Sequence, residues 1–258
     1  MKRFPEENDK MSASIDLPEF GRKAVEPVAC IKAGWNLIRN QYWLFVGLSV
    51  VGVLIGSVVP FGILMGPMMC GIYLALFKTK RGQAVEFNEL FKGFDYFGDS
   101  LIATLLHLVP VLVIFVPSYI VFYIGLFLIM PKNGEPDSTA LFSFFGIFAV
   151  FWIVMIVILI IVSVGFTFAY PLIVDRRLSG LNAVKLSIRA GMANFWQLLG
   201  MLLLNGLLSF VGVLFCYVGV FLVLPVSFAA IATAYEQVFG LAGGEAQPHL
   251  PPPPPTFT

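Results

Sequence analysis

Between Arg39 and Lys78 the chain reads "NQYWLFVGLSVVGVLIGSVVPFGILMGPMMCGIYLALF", thirty-eight residues without a charge. Ser100–Pro131, Ser138–Val174 and Ala190–Tyr235 are three more such stretches. Each exceeds the ~20 apolar residues that carry a helix across a hydrocarbon core about 30 Å thick. In lipid, backbone groups must be satisfied within the segment, so stretches this long and greasy fold as helices. Only 12% of the 258 residues are charged, against about 25% in soluble domains. The expected fold class is an all-α integral membrane protein.

The number of crossings follows from length and loop charge. Thirty-eight residues would make a helix of about 57 Å, so the first stretch must fold back. The reversal is expected in "GSVVPFG", where Pro60 cannot continue a helix. The last stretch reads as two spans, roughly 198–213 and 216–235, turning between Gly212 and Gly219. The middle two are each one long span or a short hairpin. Seven Lys/Arg lie in residues 1–41, four in 78–99, four in 175–197, and only Lys132 between 131 and 140. The positive-inside rule puts the three rich segments in the cytoplasm, so each middle stretch crosses an odd number of times. Six spans result, as three hairpins with both termini cytoplasmic; an eight-span version would bring the 131–140 loop inside. The excess length of the third span is tilted or projects, and Pro110 and Pro117 bend it.

Each hairpin is preceded by a segment with an apolar stripe. In "GLNAVKLSIRAGMANFW", Leu181, Val184, Ile188 and Phe195 recur at helical spacing while Asn182, Lys185 and Arg189 form a flank about 100° away. Ser179 is its expected N-cap. "ACIKAGWNLIRNQYW" sets Ile31, Trp35, Ile38 and Tyr42 against Lys32, Asn36 and Arg39, and "VEFNELFKGFDYFGDS" sets Phe87, Leu90, Phe91 and Phe94 against Asn88, Lys92, Asp95 and Asp99. Such helices are expected to lie in the cytoplasmic interface, cations near anionic headgroups, with Trp43 and Trp196 anchoring the chain as it enters the bilayer. The candidate interface residues are therefore Lys32, Arg39, Lys185, Arg189, Trp43 and Trp196. Sliding the first unit by 153 positions matches Lys32 with Lys185, Trp43 with Trp196 and Gly47 with Gly200, a pattern of parallel repetition rather than the inverted repeats common in transporters.

"YPLIVDRRLSGLNAVKLSIRAGMANFWQLLGMLLL" followed by "PVSFAAIATAYEQVF" resembles a group of bacterial integral membrane proteins of unknown function, related to the membrane region attached to some glycerophosphodiester phosphodiesterases. The resemblance rests on Pro171 and Asp175 before the amphipathic helix, an aromatic after it, and Pro225 and Tyr235 late in the chain; it covers about residues 28–240. It implies a bacterial inner-membrane location and no catalysis, since those enzymes keep their metal-binding acidic site in a separate soluble domain.

Polar groups inside the apolar stretches are few. His107 and Asn205 lie at nearly equal depth and are expected to share a hydrogen bond between facing helices. Asp175, Arg176 and Arg177, with Glu236, read as solvated end caps or as a headgroup pocket. "GVLIG" and "GILMG" allow close helix approach, within a hairpin or between copies of the chain. Cys30, Cys70 and Cys216, odd in number and widely spaced, point to neither disulfides nor a thiolate metal site, and no signal-peptide pattern opens the chain. A net charge of +1 and the lack of any nucleic-acid motif argue against nucleic acid as a partner. No catalytic constellation, metal site or cofactor motif is present in the sequence. Residues 1–27 are expected to be a flexible tail, 28–240 the membrane domain, and 241–258, with five consecutive prolines, a disordered tail. The expected function is a non-catalytic scaffold or lipid-interacting accessory component, whose partners are membrane lipids and, alternatively, other membrane proteins or a second copy. The other reading is a permease or channel for a neutral or lipidic substrate.

Overall fold

The computed structural model describes residues 20–22, 24–129, 138–214 and 218–242. Among the described residues the chain is helical and without strands. α1 (Pro27–Ile38) passes through a 3-10 turn into α2 (Tyr42–Val58), and a second 3-10 turn, Pro60–Gly62, reverses the chain into α3 (Met65–Lys80). The reversal is where the sequence places it: Val59, ahead of a proline, is extended, and Gly62 takes φ +63, which costs a glycine nothing. A ten-residue 3-10 helix, Phe87–Tyr96, leads into α4 (Phe97–Ile129), followed by α5 (Ser138–Phe166), α6 (Ala169–Arg176), α7 (Gly180–Ala193), α8 (Phe195–Leu214) and α9 (Val218–Phe239). The first middle stretch is a single helix, α4, which continues through Pro110 and Pro117, and the second is α5 followed after a two-residue turn by α6. The 131–140 loop lies largely outside the described residues, as does the proline-rich tail.

Among the described residues five helical stretches are long and apolar enough to cross a membrane: Pro27–Val58, Phe87–Phe127, Leu141–Arg176, Phe195–Leu214 and Val218–Phe239. α3, expected as a sixth crossing, has 16 residues, about 24 Å of helix. Ten of them are buried, more than on any neighbour of similar length, because α3 is packed by α2, α4, α6, α9 and the 3-10 helix together.

The three amphipathic segments pack in a cyclic order. α1 lies on α9, the 3-10 helix on α3, and α7 on α5 and α6, so each rests on the returning helix of another pair. The contacts step in opposite directions along the two partners. Cys30 reaches Gln237 while Gly34 meets Ala229 and Ala230; Leu90 meets Gly71 while Gly93 meets Pro67. A glycine sits at each crossing, because a Cβ on Gly34 would lie 2.7 Å from the Ala230 nitrogen, one on Gly93 2.0 Å from the Pro67 carbonyl, and one on Gly191 2.6 Å from the Val164 carbonyl. The apolar stripes read from the sequence are therefore divided between protein and the outside. On α7, Val184 turns inward with Ala183, Ser187 and Ala190, while Leu181, Ile188 and Met192 stay outside beside Lys185 and Arg189. On the 3-10 helix Leu90 is buried and Phe87, Phe91 and Phe94 point out.

Beyond these crossings α3, α6 and α9 run on for two to three turns. Their core is an aromatic plug of three fully buried rings, with Tyr235 centred 5.3 Å from Phe77 and 6.3 Å from Phe168. α5 and α6 are separate because Pro171 has no N–H for the Thr167 carbonyl; Phe168 N–H instead donates to Ser187 Oγ at 3.0 Å. Part of the expected N-terminal tail is docked here: Gly21 N–H donates to the Val238 carbonyl at 2.7 Å and Val25 is buried. Buried Asn194 accepts from Ala24 N–H and donates to the Gly21 carbonyl, both at 3.0 Å.

Candidate functional site

Two concavities and two charged clusters, one on Asp175 and one on Glu89 with Lys78 and Lys92, carry much of the polar chemistry of the described residues. The first concavity is an open groove of about 440 Å³ at the elbow between α1 and α2, lined by Trp35, Arg39, Asn40, Gln41 and Trp43. Tyr42 fixes its shape. Its hydroxyl donates to the Leu222 carbonyl at 2.8 Å, and its ring takes Trp35 edge-on at 5.3 Å and Trp43 at 5.6 Å. Trp43 and its counterpart Trp196 are 74% and 77% exposed, so both indoles project outward, each from the second residue of its helix, α2 and α8. Lys32, Arg39, Lys185 and Arg189 are also exposed. Among the described residues none of these four cations has a carboxylate partner, whereas Lys78, Lys80, Arg81, Lys92 and Arg176 all do.

The paired charges close the end of the bundle. The Asp175 side chain is 0% exposed. It accepts from Arg81 at 2.6 Å, from the Tyr235 hydroxyl at 2.8 Å and from Ala242 N–H at 3.0 Å. Arg176 donates to the Phe239 carbonyl at 2.7 Å, and Lys80 pairs with Glu236 at 2.5 Å. A buried carboxylate with these partners binds α3, α6, α9 and the start of the C-terminal segment together. It is neither a solvated end cap nor an open headgroup pocket, which corrects both readings of Asp175. Arg177, at the C-cap of α6, takes a left-handed φ of 50 that lets the chain turn toward α7. Ser179 occupies the N-cap of α7 without capping it through its side chain. The Asp99 carboxylate from α4 accepts Gly180 N–H at 2.9 Å instead, placing a negative charge at the positive end of the helix.

The second concavity, about 360 Å³, lies where α3, α4, α5, α6, α8 and α9 meet. Met65, Met69 and Tyr73 of α3 form one wall, His107 and Tyr170 another, Leu202 and Phe228 a third. His107 packs edge-on against Phe166 with ring centres 4.8 Å apart. The expected His107–Asn205 hydrogen bond is not formed, since Asn205 Oδ1 accepts from Ser227 Oγ at 3.3 Å. Equal depth did not bring the two together because α4 packs on α5 and α7, and α8 on α9 and α1. Tyr73 and Tyr170 were missed by sequence reasoning; the signal was a tyrosine inside each of two apolar helices, where a hydroxyl needs a partner.

The close helix approaches expected of "GVLIG" and "GILMG" are made within the chain: Gly52 faces Ile72 and Leu90, Gly56 faces Met65, and Gly66 faces Ser100 and Thr104. No family model, curated protein or solved structure matches the chain.

Proposed function

We propose that the protein is a non-catalytic, lipid-interacting component of the cell membrane, with six crossings arranged as three hairpins and both termini in the cytoplasm. In this reading the plugged end of α3, α6 and α9 is cytoplasmic, and α1, the 3-10 helix and α7 form a collar around it at the inner leaflet. The observation that carries the proposal is the division of the cations. Lys80, Arg81 and Arg176 at the bundle end pair with carboxylates. Lys32, Arg39, Lys185 and Arg189 stand exposed and, among the described residues, without a carboxylate partner, as Arg22 and Arg177 also do. The first four lie on helices next to those that carry outward-facing Trp43 and Trp196. Unpaired cations next to interfacial indoles are suited to anionic headgroups, at about 1 kcal/mol per cation near such a surface. The elbow groove adds two amides and an aromatic wall around Arg39, enough to hold one headgroup. The alternative, a permease, needs a through-path, and the Phe77–Phe168–Tyr235 plug and the Asp175 network stand across it. The sequence resemblance to bacterial membrane proteins is in keeping with a scaffold or accessory role beside membrane lipids and other membrane proteins.

The test is lipid retention. The protein purified in mild detergent from vesicles of mixed anionic and zwitterionic lipid should keep bound anionic lipid, and the K32E/R39E/K185E/R189E variant should keep several-fold less. Equal retention by both overturns the proposal, and so does an impermeant label that reaches Lys32 and Lys185 from opposite sides of the membrane.

A further inference from the structure

The cavity between the helix pairs holds two polar groups with nothing to bond. Tyr73 is 3% exposed and lines the cavity, yet among the described residues its hydroxyl makes no hydrogen bond, while the neighbouring Tyr170 hydroxyl is satisfied by Thr104 at 3.1 Å. His107 lines the same cavity and has a ring contact but, among the described residues, no hydrogen bond. The hydroxyl and the half-buried His107 ring open onto the cavity rather than into packed protein, so their partner is water or a ligand that enters it. Apart from Ser163, Thr167 and Tyr170 the rest of the wall is apolar, and no Lys, Arg, Asp or Glu lines it.

We infer that this cavity binds one neutral, single-chain amphiphile drawn from the surrounding leaflet, a lipid of the monoacylglycerol or long-chain alcohol class. Its hydroxyl bonds Tyr73 and His107, and its chain lies along Met69, Met65 and Leu202. The cavity, about 360 Å³, has room for the head and first part of one chain, and competition with phosphatidylcholine decides between a one-chain and a two-chain occupant. The lack of ionic groups selects a neutral head, because an unpaired charge would be left in an apolar wall. The methionines, flexible and polarisable, fit a chain of variable shape.

The direction of entry follows from the fold. Phe77, one turn beyond Tyr73 with ring centres 6.4 Å apart, belongs to the plug, so the cavity is closed toward the charged end. Met65 lies eight residues back along α3, about 12 Å further from the charged end. A ligand with its hydroxyl at Tyr73 and its tail toward Met65 therefore has its head toward the charged end, the orientation it already has in that leaflet. This inference uses none of Lys32, Arg39, Lys185 or Arg189, and it stands or falls apart from the headgroup proposal.

The test uses the full chain in phosphatidylcholine nanodiscs with a diazirine-bearing monoacylglycerol, unlabelled monooleoylglycerol as competitor, and peptide mapping of the adducts. One adduct per chain is expected, mapping to α3 near Met65 and Met69 and displaced by monooleoylglycerol but not by phosphatidylcholine. Tyr73→Phe keeps the volume and removes the hydroxyl, and should weaken binding about fivefold to tenfold. Met69→Trp, which fills the cavity, should abolish the adduct. A thermal melt identifies any variant that fails to fold, and His107→Gln then takes the place of Tyr73→Phe. Adducts spread over the lipid-facing sides of α4 and α5, equal displacement by oleate or phosphatidylcholine, or unchanged affinity in a folded variant lacking either polar group would each overturn the inference and leave water as the partner of Tyr73. The K32E/R39E/K185E/R189E variant should bind the probe as the native chain does.

Discussion

Replacing Asp175 by alanine removes the centre of the network that ties α3, α6 and α9 together. The carboxylate accepts three hydrogen bonds, from Arg81, Tyr235 and Ala242 N–H, with its side chain 0% exposed. Hydrogen bonds to a charged group contribute about 1.5–3 kcal/mol each before any are replaced by water, and breaking a buried ion pair costs about 3–5 kcal/mol. Arg81 is 34% exposed and regains water when its partner leaves, which puts the loss at the lower end, about 3 kcal/mol. At about 2–4 °C per kcal/mol for a chain of this size, Asp175→Ala should lower the melting midpoint in detergent by about 6–12 °C. Tyr235→Phe loses one hydrogen bond but keeps its ring against Phe77 and Phe168, so about 1 kcal/mol and 2–4 °C are expected. The double variant with Arg81→Ala should lose less than the sum of the singles, by about 1–3 kcal/mol. A drop under 2 °C for Asp175→Ala, or strict additivity with Arg81→Ala, would show that the charges behave as solvated ends and refute the reasoning.

Two further predictions follow from the crossings and the caps. Gly93→Val should prevent accumulation of folded protein in the membrane, since even its Cβ would lie 2.0 Å from the Pro67 carbonyl and 2.5 Å from the Gly71 nitrogen, both backbone atoms. Gly146→Ala in α5, with nothing within 4 Å, should instead be neutral or raise stability by up to about 1 kcal/mol, and equal expression of both variants would contradict the packing. Asp99→Ala should cost about 1 kcal/mol by uncapping α7, visible as faster hydrogen exchange at its first turn, while Ser179→Ala should change little; the opposite order would return the cap to Ser179.

Much of the architecture was legible because it is set by one-dimensional quantities. Charge-free length located the apolar helices, Pro60 and Gly62 marked the first reversal, and no chain reversal interrupts α4, whereas the break between α5 and α6 was not foreseen. The amphipathic segments were found, but their partners were not. A helical wheel gives the apolar arc and not what covers it, and on α7 that arc is divided between protein at Val184 and the outside at Leu181 and Ile188. Small residues decide the division. Ala183, Ser187, Ala190 and Gly191 score as weakly polar or neutral in a pattern search, yet they make the closest contacts because they let backbones approach. The α3 helix was expected as an ordinary crossing, and it is enclosed because α1, α2, α4, α6, α9 and the 3-10 helix converge on it.

The site was less legible for a related reason: depth along a helix can be counted from sequence, but direction around it cannot. His107 and Asn205 matched in depth and still found different partners, Phe166 and Ser227. Tyr73 passed as one more aromatic in "GIYLALF", and only the packing leaves its hydroxyl inside a cavity with nothing to bond. The same limit explains Asp175. Its sequence context, two arginines at the end of an apolar run, is that of a solvated terminus, and its burial depends on Arg81 and Tyr235, 94 and 60 residues away. Groups matched only through tertiary structure are where this chain departs from its local pattern, and in Tyr73 and His107 the match within the protein is incomplete. That incompleteness separates the cavity from the plug beside it: Phe77, Phe168 and Tyr235 fill their space and satisfy their polar atoms, whereas one turn away the space is left open and a hydroxyl unmet, which is the condition a ligand relieves and a purely structural core does not need.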